Sequence, residues 1–225
     1  QNEFSGWDDI RLPFLPALKR RGYQQEAFVK FASKIGLSLT DKKVSQEEFW
    51  KMINAFNREI VEPKSNRYFF VKDPKEIKIE NAPTKKVEML LHDDFKERGS
   101  RSLIGSSKVY ISSKDYELEE GRVHRLIDFC NFSSAGKDYK FENEDYMSFK
   151  ESGERRGRII HWLPCIDDEV VDVEVLMNDG CVVKGLGEKS LLKVKVGEIV
   201  QFEREFFAKV DKIDGRKVSL WYLHK

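Results

Sequence analysis

Three arginines and a glutamine have side chains of the types that suit molecular recognition. Arg67 lies in NRYFFV, Arg125 in VHRL, and Gln201 and Arg204 in QFER. A guanidinium donates hydrogen bonds in pairs and stacks on flat rings, so this set suits a planar acceptor such as a nucleobase. The residues alone leave simpler roles open. Arg204 has two acidic neighbours that offer a surface ion pair worth about 0–1 kcal/mol, and Arg67 is placed to cap a helix.

The densest basic run is ERRGR, which contains Arg155, Arg156 and Arg158. Phosphate contact and a solvated surface are both consistent with such a run. Forty basic and 39 acidic residues give a formal net charge of +1 over 225 residues. This balance excludes a general polyanion-binding surface, so any contact with nucleic acid must come from local groups.

Catalytic and metal-binding patterns are missing. The four histidines are scattered, and no glycine-rich phosphate loop or metal-ligand spacing occurs. The three cysteines are too few and too separated for a disulfide framework, which indicates a reducing compartment. No apolar run approaches the ~20 residues of a membrane helix, and no targeting peptide is evident. We therefore expect no catalytic or metal site and a cytoplasmic location.

Helical patterns fill the first third of the chain. Leucines at three-residue spacing lead into KRRG, and cations before Gly22 are typical of a helix C-terminus. A second apolar stripe covers residues 24–35, and SQEE from Ser45 is a capping box that begins a third helix. We expect Asp8 or Asp9 to cap the first helix. Short helices joined by short loops predict a compact bundle.

The segment from Glu62 to Pro83 separates these helices from a strand-rich remainder. Pro63 ends the third helix, and the aromatic residues from Tyr68 to Phe70 suit a strand. Short alternating segments with turn signals then recur every eight to twelve residues, as in barrels and sandwiches. We interpret His161 as a core histidine.

Three local expectations concern the strand-rich region. Residues 123–132 are apolar enough for a single central strand. Asn178–Gly180 and Asp214–Gly215 are hairpin turn signals. Residues 137–154, rich in charge and aromatic side chains, are interpreted as a long loop or a mobile excursion.

Six motifs occur in a characteristic order along the chain. They are GWDDIR (6–11), NRYFFVKDP (66–74), RGSR (98–101), EEGRVHRL (119–126), GRIIHW (157–162) and VQFER (200–204). Together they resemble the anticodon-binding region of the glutamyl- and glutaminyl-tRNA synthetases, a class I family. The archaeal type of glutamyl enzyme is the closer match. Ile10 stands where the family usually has proline.

The resemblance implies roles for eight residues. Arg67, Arg125, Gln201 and Arg204 are expected to bind the anticodon. Arg11, Arg155, Arg156 and Arg158 are expected to contact the tRNA backbone or stem. Ile127 replaces a second arginine of the glutaminyl enzymes, which favours the glutamyl type.

The resemblance also implies an all-β anticodon-binding region of two β-barrels, preceded by a small α-helical bundle. The expected division is a helical stem-contact subdomain over 1–62, a proximal barrel over 63–113 plus 191–225, and a distal barrel over 114–190.

The implied function is anticodon recognition by the C-terminal fragment of a glutamate–tRNA ligase. The chain begins without methionine and lacks the family's ATP-binding loops, so we expect a piece that does not activate an amino acid. ATP and Mg²⁺ would serve the full-length enzyme, with no cofactor in this fragment. Expected partners are glutamate-accepting tRNA and the upstream catalytic domain of the same chain, with no membrane; binding of glutamine-accepting tRNA stays open. The alternatives are a glutaminyl enzyme and a barrel that binds proteins.

Overall fold

The computed structural model describes residues 4–36, 43–136 and 138–225. Helices precede a strand-rich region, which confirms the predicted fold class. The helices are α1 (Leu15–Arg21), α2 (Gln25–Ile35), α3 (Gln46–Val61) and α4 (Tyr146–Lys150). The strands in this part of the chain are β1 (Asn66–Tyr68), β2 (Phe70–Lys72), β3 (Pro74–Glu80), β4 (Lys85–Leu90), β5 (Ser100–Gly105), β6 (Lys108–Ser112), β7 (Val123–Leu126), β8 (Cys130–Ala135), β9 (Asp138–Asn143), β10 (Arg156–Ile160), β11 (Leu163–Pro164), β12 (Val170–Leu176), β13 (Val182–Glu188), β14 (Ile199–Phe202), β15 (Phe206–Asp214) and β16 (Lys217–His224).

The predicted helix boundaries are confirmed at their caps. Gly22 follows α1 with a φ of 116°, a left-handed conformation that favours glycine. The Ser45 hydroxyl accepts a hydrogen bond from the Glu48 backbone N–H at 3.1 Å and caps α3. Pro63 lies in the 3₁₀ turn that follows the last residue of α3. No helix in the described residues is long and apolar enough to span a membrane.

Among the described residues, the strand-rich region consists of two seven-stranded sheets and the two-stranded sheet β4-β5. The first has the order β1-β14-β15-β16-β12-β13-β2, and its edge strands are joined by Phe69 alone. The second has the order β10-β7-β8-β9-β3-β6-β11, and its edge strands are joined by His161 and Trp162. Because consecutive strands form the two edges of each sheet, both sheets curl into nearly closed barrels. We name the first sheet the proximal barrel and the second the distal barrel.

The two barrels divide the chain at points different from those predicted. Strands β12 and β13 were expected in the distal barrel, but they pair with β16 and β2. Strands β3 and β6 were expected in the proximal barrel, but they pair with β9 and β11. The decisive pairs β12–β16 and β3–β9 are parallel, and parallel partners lie far apart in sequence, where hairpin signals give no guidance.

The segment Tyr68–Val71 joins the two hydrophobic cores. Tyr68 and Phe70 are buried in the core of the proximal barrel, whereas Phe69 and Val71 are buried with the distal barrel. Successive side chains of an extended segment point to opposite faces, so four consecutive residues fill two cores. The barrels are therefore packed against each other through this short segment.

The helical bundle packs on the proximal barrel. Leu18 and Ile53 share a buried cluster with Phe207 and Leu223 of strands β15 and β16. The buried Arg21 also donates hydrogen bonds to the backbone oxygens of Tyr222 and Leu223, at 3.0 and 2.5 Å. Apolar contacts and satisfied backbone carbonyls together hold the helices on this barrel.

Two local expectations in the distal barrel are wrong. Residues 123–132 form the hairpin β7–β8 rather than one strand, and Asp128 turns the chain with a φ of 56°. Residues 138–154 contain β9 and α4 rather than a loop, because Asp145 caps α4 by accepting from the Ser148 N–H at 2.6 Å. Lys137 lies outside the described residues. The hairpin turns at 178–180 and 214–215 are confirmed.

Candidate nucleic-acid interface

Arg67 and Gln201 are brought together by strand pairing. Strands β1 and β14 are parallel neighbours, and Arg67 lies opposite Gln201 in their register. The Arg67 Nε donates to Gln201 Oε1 at 3.1 Å across 134 residues of sequence. Arg67 also forms an ion pair with Asp93, and its Nη2 lies 4.0 Å from Glu62 at the end of α3. The guanidinium is thus held at the surface by groups from three parts of the chain.

Arg204 lies in the turn between β14 and β15 and has an unusual backbone conformation. Its φ is 65°, a left-handed value that costs a residue with a Cβ about 1–2 kcal/mol. Hydrogen bonds on both sides fix the turn: the Glu203 N–H donates to Tyr68 O at 3.0 Å, and the Glu205 N–H donates to Phe202 O at 2.9 Å. The turn therefore presents an exposed Arg204 side chain from a fixed backbone.

A buried ion pair anchors this turn from beneath. Arg101 of β5 donates to Glu188 Oε1 at 2.9 Å, and both side chains are almost inaccessible to solvent. Arg101 also donates to Glu203 Oε2 at 3.3 Å, next to Arg204. Glu188 further accepts the Phe69 backbone N–H at 2.6 Å. Truncating one partner would leave the other charged and buried, at a cost of about 3–5 kcal/mol.

Arg125 of β7 is buried and fixed by the distal barrel. Its Nη1 donates to Asn131 Oδ1 at 2.8 Å and to the Glu144 backbone oxygen at 3.1 Å. Its guanidinium carbon lies 5.3 Å from the ring centroid of Tyr146, the first residue of α4. The side chain is therefore fixed between a strand and a helix, with little freedom to follow a ligand.

Arg125 and Arg204 line one open groove between the two barrels, which has a volume of about 540 Å³. We name it the recognition groove. Arg67 lies at its margin through the ion pair with Asp93, and Gln201 lies beside Arg67. The structure thus brings the four residues predicted to bind the anticodon to one region. The lining residues are Asp93, Arg125, Ile127, Asp128, Tyr146, Ile159, Glu203 and Arg204.

The recognition groove carries acceptors as well as donors. Asp93 and Asp128 are exposed carboxylates, and the half-buried Glu203 supplies a third carboxylate. Burial raises the pKa of Glu203, although the nearby cations Arg101 and Arg67 oppose the shift. A groove lined by both positively and negatively charged side chains does not simply concentrate anions. It suits a ligand whose edge presents both hydrogen-bond donors and acceptors, as nucleobases do.

The three arginines of the basic run differ in their contacts. Arg155 forms an ion pair with Glu142 at 3.1 Å, and Arg158 lies 3.7 Å from Asp115. Arg156 is exposed, and its side chain makes no ion pair or hydrogen bond with any residue that the structure describes. Ile159 lines the groove, whereas Arg158 Nη1 donates to the Lys114 backbone oxygen at 3.1 Å. Arg156 is therefore the member most available to a phosphate.

Arg11 does not line the recognition groove. It donates to Asp9 through Nε at 2.9 Å and through Nη2 at 2.6 Å, and its guanidinium lies 4.8 Å from the Phe4 ring centroid. These bonds hold the pKa of Asp9 well below its usual range. The expected capping of α1 by Asp8 or Asp9 is wrong, because Phe14 occupies that position without a side-chain cap.

Sequence reasoning missed the aromatic and acidic lining of the groove. Tyr146 lies in a segment interpreted as a loop, and Asp93 lies in an acidic pair that resembles an ordinary turn. Tyr146 had one usable signal, because Asp145 and Ser148 match the spacing of a helix cap. Asp93 had none, since only the folded chain places it against Arg67.

The resemblance implies ATP and Mg²⁺ for the full-length enzyme only. Over 4–36, 43–136 and 138–225, no group of three or more histidine, cysteine, aspartate or glutamate side chains could hold a metal ion. We assign no step to either group in this chain.

Comparison with models of known protein families shows which family this chain is similar to. Two family models match, both described as the anticodon-binding domain of class I (E and Q) tRNA synthetases, where E and Q denote glutamate and glutamine. The first model matches residues 65–153 and the second residues 159–211, which together exceed half of the chain.

Curated proteins with similar sequences are glutamate–tRNA ligases. The chain is 38% identical over 226 residues to the glutamate–tRNA ligase of Methanocaldococcus jannaschii, covering 99% of this chain and 39% of the relative. It is 37% identical over 225 residues to that of Methanobrevibacter smithii, covering 99% of this chain and 38% of the relative. The ligase of Pyrococcus abyssi is 38% identical over 233 residues, covering 100% and 39%. The chain thus spans about two fifths of the length of these relatives, and it belongs to the anticodon-binding domain family of the class I tRNA synthetases for glutamate and glutamine.

Proposed function

We propose that this chain recognises the anticodon of glutamate-accepting tRNA as part of a glutamate–tRNA ligase. One observation carries the proposal: Arg125 and Arg204 come from different barrels, yet they line the same groove, and the Arg67–Gln201 pair lies at its margin. Recognition of a flexible loop requires fixed groups that meet several bases at once. The recognition groove supplies such groups from two barrels that share the segment Tyr68–Val71.

Single-stranded RNA is the ligand class that this chemistry favours. Anticodon-loop bases are unstacked and expose their Watson–Crick edges, which proteins read by hydrogen bonding and stacking. Arg125 and Arg204 supply paired donors, Asp93 and Asp128 supply acceptors, and Tyr146 supplies a ring. With a net charge of +1, the chain has little general attraction for phosphate, so specificity must come from these groups.

The glutamyl type is favoured over the glutaminyl type by two observations. The relatives described above are named glutamate–tRNA ligases. Ile127 lines the groove with an apolar side chain where the resemblance to glutaminyl enzymes would supply a second arginine. We therefore propose that the base nearest Ile127 is read with fewer charged donors. Acceptance of glutamine-accepting tRNA is an outcome of the binding experiment below.

Activation of glutamate with ATP belongs to the remainder of the longer protein in this proposal. The chain would bind tRNA, and the upstream catalytic domain would supply the chemistry. Isolated chain should therefore give no glutamate-dependent exchange of pyrophosphate with ATP. Measurable exchange would contradict this division of roles.

The test of the proposed function is a filter-binding titration at one fixed salt concentration. The ligands are glutamate-accepting tRNA, the same tRNA with each anticodon base substituted in turn, and glutamine-accepting tRNA. We expect the unmodified glutamate-accepting tRNA to bind more tightly than every anticodon variant. Equal binding of all these RNAs would overturn anticodon recognition and leave a barrel with another partner, such as a protein.

A further inference from the structure

Tyr146 is an exposed aromatic residue in the recognition groove with no assigned role. Its side chain is 46% exposed although it lines a concave site. Large aromatic side chains usually bury most of their surface, and an exposed ring inside a groove leaves an apolar face available. The neighbouring Met147 is 51% exposed but does not line the groove. The ring of Tyr146 is therefore the one placed toward a ligand.

The ring is held by a fixed scaffold rather than by a mobile loop. Tyr146 begins α4, which Asp145 caps through the Ser148 N–H at 2.6 Å. Asp145 is tied to β8, because its backbone oxygen accepts from Asn131 Nδ2 at 2.7 Å. Asn131 also holds Arg125, so the ring and the guanidinium share one support. A fixed ring loses little conformational entropy when it stacks on a ligand.

Two cations lie close to this ring. The Arg125 guanidinium lies 5.3 Å from the ring centroid, and the Lys150 ammonium lies 5.5 Å from it. Arg125 is fixed by hydrogen bonds, whereas Lys150 is exposed and makes no ion pair with the described residues. Its flexible stem allows the ammonium to leave the ring without breaking a protein contact. A flat ligand can therefore replace Lys150 at the ring.

We propose that Tyr146 is a stacking platform for one unstacked base of the anticodon loop. The groove volume of about 540 Å³ lies within the range of about 300–1,000 Å³ typical of small-molecule sites, so a flipped-out nucleotide fits. Asp93, Asp128 and Arg204 line the same groove and supply polar groups that could meet the edge of a stacked base. This inference rests on the proposed function and adds the residue that positions a base for those groups.

The test measures binding of an anticodon stem-loop of glutamate-accepting tRNA to wild type, Tyr146→Ala and Tyr146→Phe. Loss of one base–ring stack weakens binding about five- to 150-fold, so we expect that loss for the alanine variant. The phenylalanine variant keeps the ring and should bind within about threefold of wild type. Met147→Ala, on the same helix but outside the groove, should match wild type. If Tyr146→Ala and Met147→Ala bind alike, the platform is excluded.

A second measurement separates stacking from a general disturbance of the groove. Three stem-loops, each lacking one anticodon base, are titrated against wild type and Tyr146→Ala. The penalty of the alanine substitution should vanish for one abasic stem-loop and persist for the other two. A penalty that persists for all three overturns the inference while leaving the proposed function intact. If wild type fails to distinguish the correct anticodon from substituted ones, the proposed function itself fails.

Discussion

Arg67 and Gln201 face each other across the parallel strands β1 and β14, and the Arg67 Nε donates to Gln201 Oε1 at 3.1 Å. This bond sets the orientation of the Gln201 amide, since its oxygen must face the guanidinium. The Gln201 NH₂ group then points away from Arg67 and makes no hydrogen bond with the described residues. The pair therefore offers an oriented amide donor beside an oriented guanidinium.

Gln201→Glu tests whether that amide donor reads a base. The substituted carboxylate keeps its bond to Arg67 but has no N–H, so the fold is retained and the donor is lost. We expect a loss of about 1–3 kcal/mol in binding to the correct anticodon, a magnitude taken from base readout in duplexes. Filter binding measures it, and Asn178→Asp in the β12–β13 turn controls for the added negative charge. Equal effects of the two variants would show that only charge matters.

Arg204→Lys separates base reading from backbone positioning. Lysine keeps the charge but lacks the planar, paired donors, so we expect a loss of about 1–3 kcal/mol for the correct anticodon. The loss should be much smaller for tRNA whose contacted base is substituted. Both tRNAs are titrated at one salt concentration. Equal losses for both would reduce Arg204 to a backbone contact.

Arg204→Gly separates binding from stability at the same position. The φ of 65° suits glycine, so the turn relaxes, while the unfolded chain gains conformational freedom that offsets much of the gain. We expect the free energy of unfolding to stay the same or rise by about 1 kcal/mol. Urea unfolding measures it, and tRNA binding should fall at least as far as in the lysine variant. A clear loss of stability would show that the side chain supports the fold.

Much of this architecture follows from short-range sequence signals. The cap at Ser45, the break at Pro63 and the turn at Gly215 act within a few residues, so their patterns predict structure directly. His161 is also the core histidine expected from its apolar strand, with 2% of its surface exposed.

The long-range features of the fold could not be predicted from the sequence, for a physical reason. The exchange of β3 and β12 between barrels depends on parallel pairs with distant partners, which leave no local signal. The motif resemblance predicted the roles of Arg67, Arg125, Gln201 and Arg204 one by one. The residues that surround them could be identified only from the folded structure. Asp93 meets Arg67, and Tyr146 covers Arg125, only after both barrels have formed.

The basic run should contribute to the salt dependence of binding mainly through Arg156. Arg155 and Arg158 already have carboxylate partners, whereas Arg156 has none among the described residues. Arg156→Ala should reduce the slope of log affinity against log salt by about 0.7 for each phosphate lost. Lys212→Ala, which removes an exposed charge from the proximal barrel, is the control. Replacing all three arginines without changing the slope would show that the run does not face the tRNA.

Two buried histidines should make stability depend on pH. Burial lowers the pKa of His161 from 6.5 to about 4, and the nearby cations Lys114 and Arg204 add to the shift. Glu205 lies 4.0 Å from His161 Nε2, but burial and these cations outweigh its attraction for a proton. Burial likewise lowers the pKa of His224 to about 4. Both imidazoles are therefore neutral in the folded chain near pH 7.

The sign of the effect follows from which state binds the proton. Below pH 6.5 the unfolded chain protonates these histidines while the folded chain does not, so stability is full above that pH and declines toward pH 4. We expect a loss of about 2 kcal/mol per histidine between pH 7.5 and pH 5.0. Urea unfolding of wild type and His161→Gln at both pH values measures it. Glutamine does not titrate, so the decline between the two pH values should be about 2 kcal/mol smaller in the variant, whatever its absolute stability. An equal decline in both proteins would show that His161 is protonated as readily in the folded chain as in the unfolded one.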